Sequence, residues 1–199
     1  MHEELSGLGF AVLTVALDRS AEDARPWIET ARPTHPSVID VRHLVADLYN
    51  MVNVPTAVWI DEDGRVVRPN DSVFATDTFR HLSGIDSARH LAAIRAWVRG
   101  ETSAPPEQKI RAGQVLPQPA SQQARAGFGL GQWLFQRGRL EAAARHFVRA
   151  GEIAPDDFTI RRGTMPMRGI DPMGPEYRAM VKAWAESGHR YYRSLPEPR

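Results

Sequence analysis

Short apolar segments alternate with amphipathic segments over the first hundred residues, and this alternation limits the fold more than any other feature. Residues 10–17 are rich in β-branched and large apolar side chains, as expected of a buried strand. Residues 21–31 carry apolar side chains at helical spacing, residues 38–39 predict a short second strand, and residues 41–51 predict a further helix. Strands that alternate with helices predict an α/β fold.

An antiparallel hairpin is predicted next. Two apolar segments, residues 54–60 and 65–68, flank an acidic turn that ends in Gly64. Residues 69–86 have little periodicity and predict an exposed connection, whereas residues 87–99 have the apolar stripe of a helix. The five tryptophans occupy mostly apolar positions of the predicted helices and strands, so we expect them in the core: Trp27, Trp59, Trp97, Trp133 and Trp184.

Residues 101–123 contain four prolines and predict a linker between two domains. After it, residues 124–134 and 140–150 predict two helices joined by a short turn, and residues 175–186 predict one more helix. The predicted organisation is a first domain over residues 1–100, the linker, a helix pair over residues 124–157 and an extension over residues 158–199.

The charge balance argues against a large electrostatic surface for nucleic acid or anionic lipid. Lys and Arg number 25 against 24 Asp and Glu, which leaves a formal charge of +1. No apolar stretch approaches the roughly 20 residues of a membrane-spanning helix. We therefore expect no nucleic acid partner, no membrane span and a cytoplasmic location, with export only if the true start lies upstream.

The stretches 12–18, 49–61 and 64–67, in this order of strands and helices, resemble the thioredoxin superfamily, in its TlpA/ResA-like redoxin branch. The resemblance covers about residues 5–100. It implies a cis peptide bond before Pro55 and an exposed backbone at Val54 that pairs with a bound polypeptide. The nominated partner-binding residues are Asn53, Val54, Pro55 and Thr56. No catalytic residue, metal or cofactor is predicted, since the chain lacks the cysteines of the family.

The helix pair has a resemblance of its own. Small and large residues follow the pattern of one tetratricopeptide repeat over residues 124–157, in which Phe147 fills the space between two helices that small residues bring close. The residues that carry the pattern are Leu130, Gly131, Gly138, Ala143, Phe147, Ala150 and Pro155. Because one repeat leaves an apolar face uncovered, we expect it to pack on the first domain, the Trp184 helix or a second copy.

The sequence has no cysteine, which excludes disulfides, thiolate metal sites and thiol nucleophiles in this chain. Active redoxins carry Cys-x-x-Cys after a central strand that would lie between residues 10–17 and 56–60. Without that strand, two rows of backbone groups stay unpaired. Three explanations remain open: a start assigned too far downstream, a strand supplied by a partner or second copy, or a rearranged redox-inactive scaffold.

Two other clusters of polar side chains are candidate sites. Asp40, His43 and Asp47 have the spacing of one helix face, for which a solvated surface is favoured over a metal site. Basic residues at 161, 162 and 168 flank Met165 and Met167, and predict a solvated loop.

The predicted fold class is α/β: an incomplete thioredoxin-like fold, with a mixed sheet and flanking helices, followed by a tetratricopeptide-like hairpin. The predicted function is a polypeptide-binding or assembly module descended from thiol–disulfide oxidoreductases. The alternative is an oxidoreductase whose cysteine segment precedes this start. The expected partner is a polypeptide, with self-association through an unpaired sheet edge as the alternative.

Overall fold

The computed structural model describes residues 1–72, 76–80 and 86–189, and shows a mixed α/β chain. The strands are β1 (Thr14–Ala16), β2 (Ser37–Ile39), β3 (Thr56–Ile60) and β4 (Val66–Ser72). The helices are α1 (His2–Leu5), α2 (Ala21–Ala31), α3 (Leu44–Leu48), α4 (Ser87–Val98), α5 (Glu107–Gly113), α6 (Pro119–Phe135), α7 (Leu140–Ile153), α8 (Phe158–Arg161) and α9 (Pro175–Glu186). In these ranges, no helix is both long and apolar enough to cross a membrane.

The four strands form two separate sheets. β1 pairs in parallel with β2, so that Val15 lies opposite Val38, and β3 pairs antiparallel with β4. The predicted hairpin is therefore confirmed, with Gly64 in its turn at a φ of 77°, which glycine adopts without steric cost. No strand in the described ranges joins one sheet to the other.

The prediction of a buried strand over residues 10–17 is wrong in length and in burial. β1 has only three residues, and Leu13 and Thr14 are exposed. A parallel strand is usually covered on both faces and paired on both edges. Among the described residues β2 is the one strand partner of β1, and Val15 and Ala16 are only partly buried.

The helix over residues 21–31 is confirmed, with the Ser20 side chain accepting a hydrogen bond from the Asp23 amide at its N-terminus. Trp27 on this helix is 78% exposed, which corrects the prediction that it packs in the core. Trp133 on α6 is also exposed, with the Arg137 guanidinium stacked on its ring. Helical spacing indicates a shared face, but it does not say whether another element covers that face.

Two further segments differ from the sequence prediction. β4 extends through residues 69–72, where Pro69 and Asn70 are buried, so the start of the predicted exposed connection belongs to the sheet. Residues 73–75 and 81–85 of that connection lie outside the described residues. Helix α5 and the first turn of α6 fall within residues 101–123, and the Gln114 side chain accepts a hydrogen bond from the Asn70 amide.

Most of the buried apolar side chains lie in the helical half of the chain, residues 101–189. α6 and α7 form the predicted pair, and Phe147 fills the space beside Gly131, where an added Cβ would come within 2.6 Å of the ring. Met165 and Met167 are buried, which corrects the prediction of a solvated loop. These methionines follow α8, which folds back against α7 and closes the core around Ile160.

Candidate polypeptide-binding edge

One edge of β1 faces away from its partner strand. The Thr14 amide donates to the Pro36 carbonyl at 3.1 Å, and the Asp40 amide donates to the Ala16 carbonyl at 2.8 Å. Because alternate residues of a strand direct their backbone groups to opposite edges, the N–H and C=O of Val15 point away from β2. No other strand of the described chain lies on that side of β1.

β3 also has only one strand neighbour among the described residues, so its second edge lies beside no strand there. Val54, two residues before this strand, is exposed, and Ile60, the last residue of the strand, is exposed as well. One face of the hairpin packs against α4, where the centroid of the Trp59 ring lies 5.2 Å from that of Trp97 and 5.7 Å from that of His90. α4 thus packs on one face of the hairpin, and no described strand pairs with the second edge of β3.

The four residues nominated from the sequence, 53–56, lie together at the start of β3. The Val54–Pro55 peptide bond is cis, as predicted. The buried Asn53 side chain donates to the Ser72 hydroxyl at 3.2 Å, and the Thr56 hydroxyl donates to the Asn53 carbonyl at 2.7 Å. Asn53 and Thr56 therefore hold the loop in shape, and Val54 is its exposed member.

The segment that leads into this loop is held from the β4 side by Asn70. The Asn70 amide group donates to the Tyr49 carbonyl at 2.6 Å, and its oxygen accepts from the Gln114 side chain at 3.3 Å. Asn50, at a φ of 48°, donates through its own side chain to the Val115 carbonyl at 2.6 Å. β4 and the segment after α5 thus fix the turn before the candidate loop.

The same segment is held from the helical side by Arg125. This guanidinium donates to the Ala46 carbonyl at 2.8 Å and to the Met51 carbonyl at 2.9 Å, and lies 3.2 Å from the Asp157 carboxylate. Burial raises the pKa of Asp157, and the neighbouring Arg125 charge opposes that rise. The sequence prediction missed both residues, because an arginine between two alanines in a helix carries no sign of its distant partners.

His43 is buried beside this arginine rather than solvated on a helix. It precedes α3 with a φ of 55°, and its ring packs on Phe128 at 4.9 Å. Burial lowers its pKa to about 4. The Asp40 carboxylate instead accepts from the Arg42 and Val45 amides, so the predicted shared helix face of residues 40, 43 and 47 is wrong.

A pocket of about 340 Å³ opens at this junction between α3, α6 and α8. Its lining includes Arg42, His43, Asp47, Arg125 and Phe128. Among the described residues, no group of three histidines or carboxylates is placed to hold a metal ion. The pocket is thus lined by side chains from α3, α6 and α8 and by residues 42 and 43.

No family model, no curated protein and no solved structure matches the chain.

Proposed function

We propose that the protein binds an extended polypeptide segment, which adds as a β-strand to the edges of β1 and β3. The observation that carries this proposal is that the two sheets are separate and that, within the described residues, β1 and β3 each have one strand partner. Backbone N–H and C=O groups are strong hydrogen-bonding groups, and an unpaired strand edge is a template for another strand. Strand addition is a recurring mode of peptide recognition.

The apolar side chains around these edges support an occupant with alternating apolar residues. Leu13 precedes β1, while Val54 and Ile60 flank β3, and all three are exposed. An added strand covers such side chains on one face, and main-chain hydrogen bonds provide affinity with little dependence on sequence. The bound segment is therefore expected to be extended, apolar on one face and free of proline.

The thioredoxin-like resemblance of residues 5–100 and the tetratricopeptide-like resemblance of residues 124–157 belong to the same proposal. The former is supported by the order of strands and helices and by the hairpin that follows Val54. The latter is supported by the close approach of α6 and α7 at Gly131. In this proposal, the binding loop is residues 53–56 and the helix pair stabilises it.

The second candidate function is a thiol–disulfide oxidoreductase of the redoxin type, with its cysteines in a segment upstream of Met1. The observation that favours it is that β1 and β3 belong to separate sheets, because the resemblance places the family's central strand between them. The coding sequence upstream of Met1 separates the two candidates. An in-frame apolar strand followed by Cys-x-x-Cys supports the enzyme, and an immediate stop codon supports the binding module.

The direct test is a binding titration with a short peptide in which valine and threonine alternate between flanking lysines. Its control is the same peptide with alternate backbone amides N-methylated, which removes ladder donors and keeps the side chains. We expect saturable binding of the first peptide and at least roughly tenfold weaker binding of the second, which is about 1.4 kcal/mol. Equal affinity for both peptides contradicts strand addition.

Val15 supplies the matched pair of protein variants for the same titration. V15P removes the amide donor that points away from β2, and V15T keeps that donor with a side chain of similar shape. We expect V15P to weaken peptide binding and V15T to bind as the wild type does. Unchanged binding by V15P excludes the β1 edge from the site.

A further inference from the structure

The loop before β3 depends on one side chain from the helical half. The Arg125 side chain is only 10% exposed, and its two terminal nitrogens contact the carbonyls of Ala46 and Met51. The second nitrogen also lies 3.4 Å from the Asn50 side-chain oxygen. One guanidinium thus spans the end of α3 and the left-handed turn that follows it.

A lysine cannot make this arrangement. The guanidinium is a planar fork with five donors, whereas an ammonium is a single point charge on a flexible stem. A buried charge also needs a partner, because desolvation is costly. Two carboxylates serve as partners: the buried Asp157, which is 3% exposed and lies 3.2 Å from the Arg125 guanidinium, and the exposed Asp47, which lies 3.1 Å from it.

Asp157 links the ion pair to the first turn of α8. Its side chain accepts from the Thr159 amide at 3.0 Å and from the Ile160 amide at 3.3 Å. The next residue, Phe158, donates its own amide to the Val52 carbonyl at 2.7 Å. The same turn that neutralises Arg125 is therefore hydrogen-bonded to the chain two residues before Val54.

We propose that Arg125 is a positioning residue that, together with Asp157, fixes residues 46–52 and thereby presents the binding loop 53–56. This inference rests on the proposed polypeptide-binding function. It assigns the helix pair a role in that function: α6 and α8 control the shape of the binding loop without contacting the bound segment. A change at the Arg125–Asp157 pair then alters binding at a distance.

The test compares R125M, R125K and D157N with the control R149M. Arg149 lies on α7 with an exposed side chain whose surface ion pair with Glu152 is 3.3 Å long. The readout is amide hydrogen exchange across the chain. We expect R125M to raise the exchange rate of the amides at residues 50–54 by roughly tenfold or more. R125K and D157N should raise it less, and R149M should leave it unchanged.

A purely structural role gives a different pattern. It raises exchange throughout α6 and α7 to the same extent as at residues 50–54, and that outcome overturns the proposal. Failure of all three test variants to fold, with R149M folded, also overturns it by assigning the pair to stability alone. The proposal is also overturned if the amides of residues 50–54 exchange in R125M at the wild-type rate.

Peptide binding separates this inference from the proposed function. If the wild type binds the valine–threonine peptide, R125M is expected to bind it roughly tenfold more weakly and R149M equally well. If the wild type does not bind the peptide, the proposed function fails while the exchange data still decide the role of Arg125. Equal affinity of R125M and the wild type contradicts control of binding by this residue.

Discussion

The amide of Phe158 donates a 2.7 Å hydrogen bond to the carbonyl of Val52, two residues before the cis Val54–Pro55 bond. This bond joins the helical half to the candidate binding loop directly along the backbone. The loop is therefore positioned by elements from both halves of the chain, with Asn70 on one side and Arg125 on the other.

The first prediction concerns self-association. An unpaired strand edge can pair with another copy, so the protein alone is expected to form oligomers whose size grows with concentration. Sedimentation measurements over a range of concentrations test this. V15P should lower the association and V15T should not. A monomer with a cooperative unfolding transition at all concentrations contradicts the open-edge argument.

The second prediction uses two glycines of one helix. At Gly131 an added Cβ would lie 2.6 Å from the Phe147 ring, while at Gly129 nothing lies within 4 Å. We expect G131A to lower the free energy of unfolding by about 1–3 kcal/mol through overpacking. G129A should raise it by about 0.5–1 kcal/mol through helix propensity. Urea unfolding of both variants checks the prediction, which fails if the two changes have the same sign.

The third prediction concerns pH. Burial lowers the pKa of His43 from 6.5 to about 4, so the unfolded state takes up its proton first as the pH falls. The stability due to neutral His43 is thus present above pH 6.5 and lost between pH 6.5 and 4, by at most about 3 kcal/mol. H43N keeps a residue that tolerates a positive φ and should flatten this slope in pH-dependent urea unfolding.

Other titrating groups affect the same profile, among them His90 and Asp157. Burial also lowers the pKa of His90 to about 4, so it adds a slope of the same sign, which H90Q should remove. Burial raises the pKa of Asp157, whose folded state therefore binds a proton first and opposes the loss as the pH falls. A wild-type slope that neither histidine variant reduces contradicts the assignment.

The fourth prediction is that the chain as given does not reduce insulin disulfides. It has no cysteine, so no thiolate is present to attack a disulfide. The turbidity assay with dithiothreitol as the reductant should give the same rate with and without the protein. A rate that rises with protein concentration contradicts the prediction.

Local signals accounted for the elements that the sequence predicted well. Ser20 caps α2 through the Asp23 amide, and Gly64 shapes the hairpin turn, so each element forms from neighbouring residues. Long-range burial was predicted poorly. Trp27 is exposed and Met165 is buried, because each depends on which distant element covers it.

The candidate site also has one part that the local sequence predicts and one part that depends on distant residues. The position of residues 53–56 at the start of a hairpin followed from the local pattern. The role of Arg125 could not, because the carbonyls it contacts lie 74 and 79 residues earlier in the chain. Such pairings arise only when the two halves pack, and a single sequence carries no local record of them.

The cluster of buried apolar side chains in the helical half lies wholly within residues 124–167. In the first hundred residues, the buried apolar side chains of the described chain are those of Leu5, Ala24, Ala46, Val67 and Pro69. A protease added in small amounts should therefore cut around the two small sheets early and spare the fragment that contains α6, α7 and α8. The helix pair would then act as the anchor against which the amino-terminal strands are ordered, and occupancy of their open edges would slow digestion there first.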